Sequence, residues 1–519
     1  MPVNLKELIV VLAISSLVFW LARSVAPSFF TSEDFTRRRN VWYALTVAAF
    51  LSPSFWLFAI VAIPIITIAG RKDSNPSAFY LMLLQVIPPI DVPVPMIGMA
   101  YLFNINNYLL LSFCVMTPAA IRIIRSKDRA GISRLGPTDY CLLGYGLLTA
   151  ILYIHTQTPY GGLYPSSMTE SLRRGFVFVF TIFIPYFAIS RGVRSRNLLI
   201  DSMAALCLNC ALLSGIAVFE SARHWLLYGE MAGRWGDTML LYELYITRGS
   251  SLRAMASTGH AMALGQMLVI AFGFWLYLQS RIASKRSRFA GTGILWGGLM
   301  AAYTRGAWIG GVLVYFVFVA LQPRALSKLF KAAGAAVVIA VLISLTPLGN
   351  RIVTVLPFFG GQVDNFNVVY RQRLFQRSWQ VIQESPMLGD QAALLKMQDL
   401  RQGEGIIDLV NTYMGILLEN GFVGMTLFLS FILIALAKAW SFSRRAVQDD
   451  PDLGLMGASL VSCIIATLVI IENESFSGVT VVLFYCLAAL ALAYAALGEA
   501  WQPNTKTRSL AIDSAVVRR

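Results

Sequence analysis

Residues 411–437, NTYMGILLENGFVGMTLFLSFILIALA, contain a single charged side chain, Glu419, in a run long enough to cross a bilayer. A hydrocarbon core needs about 20 mostly apolar residues in one helix. Runs of this kind recur at 8–26, 41–70, 79–103, 106–121, 138–154, 175–190, 198–219, 260–280, 289–303, 306–322, 332–347, 455–471 and 478–498. The whole chain is 57% apolar and 13% charged, with a mean hydropathy of +0.65, well beyond the apolar share of a soluble domain. The fold class expected is all-α, a polytopic membrane protein of roughly 12 to 15 transmembrane helices. Two runs carry breakers, LSPS at 51–54 and PPIDVPVP at 88–95, and are expected to split into a hairpin or a re-entrant pair because proline interrupts a helix. The first run follows a single Lys and is read as a retained membrane anchor.

The net charge of +15 raises the question of a nucleic-acid partner, and its placement argues against one. The basic residues cluster in short connectors: RIIRSKDRAGISR (122–134), RGVRSR (191–196), RIASKRSR (281–288), RALSKLFK (324–331) and SRR (443–445). Short basic loops mark the cytoplasmic side. Alternation from them sets 155–173, 220–259 and 348–410 on the outer side and the C-terminal tail inside. RRR at 37–39 and RK at 71–72 also belong inside, so the 41–70 run must go in and come back. The organisation expected is N-terminal helices and hairpins (1–105), a transmembrane core with an outer loop at 220–259 (106–347), a large outer loop (348–410), C-terminal helices (411–498) and a cytoplasmic tail (499–519).

The six cysteines, at 114, 141, 207, 210, 463 and 486, all fall inside apolar runs and read as packing residues. No phosphate loop, dinucleotide-binding glycine pattern, zinc signature or serine elbow stands in its required context. Any chemistry must therefore draw its energy from the substrate.

The outer segments have a different character. Residues 348–410 balance six basic side chains (Arg351, Arg371, Arg373, Arg377, Lys396, Arg401) against six acids (Asp364, Glu384, Asp390, Asp399, Glu404, Asp408). Topology is not enforced by a neutral balance. A guanidinium is a rigid fork of donors suited to phosphate or carboxylate, so dense arginine here points to an anion. Segment 220–259 repeats the theme with four Arg, four acids and the rings Trp225, Tyr228, Trp235, Tyr242 and Tyr245, a mixture able to stack on sugars or to form an interfacial belt.

Four stretches, taken together, resemble the O-antigen ligase and polymerase superfamily of bacterial envelope glycosyltransferases. RAMASTGHAMALG (253–265) resembles its Arg-led helix entry and YTRGAWIGG (303–311) its Thr-Arg-Gly-x-Trp turn. YRQRLFQRSWQVIQESPMLGD (370–390) resembles its outer helix ending in Pro-x-x-Gly. VNTYMGILLENGFVGMTLFL (410–429) resembles its Asn-x-Tyr helix with Glu-x-Gly-x-x-Gly. The four keep the family's order, and the likeness covers about half the chain. One position departs: ligases of the family carry His before that Asn, and Val410 stands there, with the only His residues at 155, 224 and 260. Asp408 two places earlier makes the segment look more like the exopolysaccharide polymerases.

The resemblance implies metal-independent, cofactor-free glycosyl transfer at the outer face of the inner membrane. Undecaprenyl-diphosphate-linked repeat units would be the donor and a growing lipid-linked glycan the acceptor; membrane lipids and the chain-length regulator and export proteins of a polysaccharide system would be partners, with no nucleic acid. An O-antigen ligase or protein O-glycosylating transferase is the alternative, and a polysaccharide-lipid flippase a further one, set back because the spans are almost free of charge. Arg305, Arg371 and Arg253, with Arg373 and Arg377, are expected on the diphosphate, and Trp225, Trp235, Trp379, Asn411 and Tyr413 on the glycan. Asp408 is the expected base, with Glu220, Glu419 and His224 as competitors.

Overall fold

The computed structural model describes residues 3–98, 101–126, 135–155, 168–236, 247–248, 251–331, 333–334, 365–401, 407–476 and 478–500. Nearly all of the run at 332–347 and the charged or aromatic residues Asp237, Tyr242, Glu243, Tyr245, Arg351, Asp364 and Glu404 lie outside the described residues. So do most of the 122–134 connector and nearly all of the tail.

The fold is all-α. Among the described residues nine helices are long and apolar enough to cross a membrane: α1 (Val3–Ala22), α3 (Phe55–Lys72), α5 (Asn107–Arg125), α7 (Met168–Gly192), α8 (Arg196–Arg223), α10 (Ala261–Arg281), α14 (Thr412–Asp449), α15 (Pro451–Ile470) and α16 (Val479–Gly498). Three more, α2 (Ser32–Leu51), α6 (Pro137–His155) and α11 (Lys285–Ala301), run beside them but wind charged or polar connector residues into their first turns. The helix after the Thr-Arg-Gly turn, α12 (Arg305–Ala320), is apolar and shorter, and a short helix, α9 (Gly229–Arg234), stands between α8 and α10.

Both breakers act as their chemistry requires. Ser52 and Pro53 end α2, and Ser54 caps α3 by accepting from Leu57 N, so the 41–70 run is a helical hairpin whose arms pack together. In the next run, α4 (Pro76–Leu83) stops after eight residues. The chain then passes through Gln85–Pro89 into a small antiparallel ribbon, β1 (Val92–Pro93) with β2 (Asn104–Ile105). Every residue of α4 from Ser77 to Leu83 is buried, which tolerates the unwound backbone beyond it because protein, not lipid, surrounds it.

Contacts sort the connectors by end. At one end Arg38 donates to Asp73 and Asp201 at 2.7–2.9 and 2.5–3.0 Å, Arg191 pairs with Asp139, and Arg196 and Arg281 both reach Asp452. Gln322 and Pro323 line one cavity with Ser443 and Arg444. All of these sit in or beside basic connectors. At the opposite end, Arg234 Nη2 donates to Phe50 O at 2.9 Å, Ala254 N to Ala301 O at 3.0 Å and Thr412 N to Ile471 O at 2.9 Å. The resemblance-bearing stretches open at this second end, and so does the start of α1, since Glu7 bonds Trp225.

Candidate functional site

The motif end is built around a backbone loop, residues 253–260, that enters the helix bundle. Glu220, the last buried acid of α8, holds it: Oε2 accepts from Met255 N at 3.1 Å and Ala256 N at 2.8 Å, and Oε1 accepts from Leu227 N at 3.0 Å. The carboxylate is fully buried. Three amide donors on one carboxylate are a structural clamp, and they turn the residue expected as a competing base into the anchor of the loop. Ser257 Oγ then donates to Gln85 O at 2.5 Å, tying the loop to the unwound end of α4. At the loop's exit His260 caps α10, its Nδ1 accepting from Met262 N at 3.2 Å. Burial, and then the Arg253 charge, push this imidazole down to about 4, so it is neutral at physiological pH.

Arg253, at the head of the loop, is buried. Its charge and that of Arg371 act on one carboxylate, Glu474, in the connector between α15 and α16. Glu474 is 5% exposed, and burial pushes its carboxyl up to about 8 against the lowering pull of the two arginines. A Cβ at Gly306, in the first turn of α12, would fall 2.8 Å from Glu474 Oε1. The carboxylate thus lies beside the positive end of the helix that Arg305 opens. Arg305 is half-buried, and its Nε has no hydrogen-bond partner among the described residues. Thr412 Oγ1 donates to Glu474 O at 2.7 Å, and Arg371 Nη1 donates to Asn473 Oδ1 at 3.2 Å. The connector therefore gathers Arg253, Arg371, the start of α12 and the start of α14. Sequence reading missed Glu474 because its stretch, IENESFSG, belongs to none of the four motifs.

Residues 365–418 carry a small core of their own. Helix α13 (Asn365–Glu384) buries Tyr370, Leu374, Val381 and Ile382 against Ala393, Met397, Leu400 and Leu418, the i, i+4 stripe of a one-sided helix. Its exposed arc carries Arg371, Arg373 and Trp379. Arg377 turns away, donating to Lys396 O at 3.0 Å and Gln380 Oε1 at 3.1 Å, so it braces the segment. Below, α14 kinks at Gly421 (φ 61, ψ −164), and the freed groups bond to the end of the α13 motif. Phe422 N donates to Pro386 O at 2.9 Å, Val423 N to Met387 O at 3.1 Å and Asp390 N to Leu418 O at 2.7 Å. The Pro-x-x-Gly and Glu-x-Gly stretches, read apart in sequence, are one joint.

Several expected glycan contacts are put to other uses. Trp235 is buried, its ring 5.7 and 5.3 Å from those of Phe55 and Phe58 and its Nε1 donating to Ser52 O at 3.2 Å, which leaves no face for a sugar. Trp225 is half-buried against Phe219 and bonds Glu7. Asn411 is the N-cap of α14, accepting from Met414 N at 3.0 Å, and Tyr413 donates to Leu468 O at 2.7 Å. Because Asn411 takes the cap, Asp408 does not. Asp408 is half-buried, its backbone bonded to the Tyr370 hydroxyl. His224 ends α8 in the left-handed region at φ 50, and the Glu419 carbonyl accepts from Gln391 at 2.8 Å beside the kink.

Residues 290–429, from within α11 through the kink of α14, match the family model described as O-antigen ligase. This segment is similar to that family's domain. Three of the four stretches that carry the resemblance lie in it, and the match supports the O-antigen ligase/polymerase superfamily. It also supports a general transferase activity of the ligase or related polymerase kind, with lipid-linked glycans and membrane lipids as partners. Arg305, Arg371 and Asp408 lie in the matched segment; Glu220, Arg253 and Glu474 lie outside it, at the end of α8, at the head of the 253–260 loop and in the connector between α15 and α16. Comparison with curated proteins finds no match for the chain.

Proposed function

We propose that this protein polymerises undecaprenyl-diphosphate-linked oligosaccharide repeat units into an exopolysaccharide or O-antigen-like glycan, with the basic end in the cytoplasm and the motif end at the outer face of the inner membrane. The observation that carries the proposal is the gathering of Arg253, Arg371 and the Arg305 helix start around the buried Glu474 carboxyl. Val410, in place of the ligase His, favours polymerase over ligase.

In the reaction proposed, the acceptor hydroxyl oxygen bonds to the donor's anomeric carbon while the bond from that carbon to the diphosphate oxygen breaks. The electron pair leaves on the diphosphate. Arg305 and Arg371, with Arg253 behind them, stabilise that charge without a cofactor, and preorganised donors in a water-poor site contribute several kcal/mol to such a step. The acceptor proton passes to a carboxylate, and Glu474 is better placed for it than Asp408, since it lies among the arginines and the helix start. Chain-length regulation and export would be the work of separate partner proteins.

The test is reconstitution of the full chain in proteoliposomes with lipid-diphosphate-linked repeat units. A ladder of lipid-linked products, retained in EDTA, is expected. Transfer of preformed glycan onto a lipid-core or protein acceptor, with no ladder, would overturn the polymerase reading in favour of the ligase one.

A further inference from the structure

Beyond Arg371, the exposed arc of α13 carries side chains that the transfer chemistry does not use. Arg371, Phe375 and Trp379 stand four residues apart, so on a helix they form one ridge. Phe375 is 58% exposed and Trp379 42%. Beside this ridge runs a second made of Gln372, Gln376 and Gln383, also exposed. The opposite face of the helix is spent on the small core of the outer segment.

We propose that this face is a carbohydrate track, along which the growing glycan is held as it leaves the transfer site; the proposal rests on the polymerase reading above. Rings spaced about 6 Å along the axis, four residues at the helical rise, present successive stacking faces to a sugar chain. The amides alongside offer both donors and acceptors to hydroxyls. The track is continuous with the site, because its first residue, Arg371, bonds Asn473, the neighbour of Glu474. A helix lying in a lipid leaflet separates an apolar face from a basic one. Here the amides share the exposed arc with the rings, and unpaired amides are costly against lipid.

The experiment uses the full chain in nanodiscs and, as probe, oligosaccharides released by mild acid from the surface polysaccharide of cells that carry it. The Trp379 signal is the fluorescence difference between the parent and Trp379→Phe. A saturable change on adding oligosaccharide is expected, with at least a 5-fold weaker Kd in the Gln372→Ala/Gln376→Ala double variant and no quenching of Trp379 by brominated lipid. No saturable change up to millimolar oligosaccharide, or quenching by brominated lipid, overturns the track, the second result making α13 a membrane-surface helix. Binding is read without turnover, so the two readings fail separately. A product ladder with a silent Trp379 defeats the track alone, whereas oligosaccharide binding with no ladder defeats the polymerase reading.

Discussion

Gly389 and Gly421 lie backbone against backbone: a Cβ built on either would come within 2.6 Å of the other's amide nitrogen. Both have positive φ, +69 and +61. This contact seats the end of the α13 motif in the kink of α14, where three backbone hydrogen bonds close the joint. It fixes how α13, with Arg371, sits over the helix that carries Thr412 and through it Glu474.

Alanine at either glycine should therefore destabilise the protein. Gly421 occupies a backbone region open essentially to glycine alone, a cost of about 1–3 kcal/mol for another residue, and the Cβ collision adds to it. Thermal unfolding of the detergent-purified variants should show a midpoint several degrees lower, with loss of glycan transfer. Parental melting in both variants would refute the joint.

How much of this was legible follows from what each signal needs. The spans among the described residues were, because length and apolarity are local, and so were the breaks at 52–54 and 88–95, because proline acts where it stands. The motifs were visible too, but not that two of them interlock, since Gly389 and Gly421 are brought together only by folding. Trp235 reads as a displayed ring in sequence because the residues that cover it, Phe55 and Phe58, lie about 180 positions away. Glu474 carries no local mark at all; its standing comes from the arginines and the helix start that converge on it.

The diphosphate role predicts a graded response at the arginines. Lys keeps the charge and loses the bidentate fork, so Arg305→Lys and Arg371→Lys should each cut transfer roughly 10-fold or more, the scale of one good charge-assisted hydrogen bond. Asn473→Ala removes only the side chain that positions Arg371 and should cost less. Initial rates in proteoliposomes decide it. Full activity in both Arg305→Ala and Arg371→Ala, at equal membrane levels, would end the assignment.

Sidedness has its own test. In a cysteine-free background, Gln376→Cys, on the exposed arc of α13, should react with an impermeant maleimide in intact spheroplasts. Ser441→Cys, beside the basic SRR connector, should react only after permeabilisation. The reverse pattern would invert the proposed topology.

Gly306→Ala separates position from stability. The added methyl meets Glu474 Oε1 at 2.8 Å, and a carboxylate at the end of a flexible side chain moves more readily than a backbone. Turnover should fall while the melting temperature stays near that of the parent. Undiminished turnover would mean that the place of the carboxylate does not matter to the reaction.

The last prediction asks which carboxylate takes the proton. A base works in its ionised form, and Glu474, pushed up to about 8 by burial, gains that form as pH rises through 8. The rate should therefore climb with pH below about 8 and level off above it. A positioned base contributes about 100-fold to 10,000-fold, so Glu474→Gln, which keeps the shape and cannot take the proton, should lose that much and flatten the limb. Asp408→Asn should stay within a few-fold of the parent, because Asn411, not Asp408, caps α14. If instead Asp408→Asn abolishes transfer while Glu474→Gln keeps both rate and limb, the base is Asp408, and the Glu474 carboxyl serves only to hold the arginines in place.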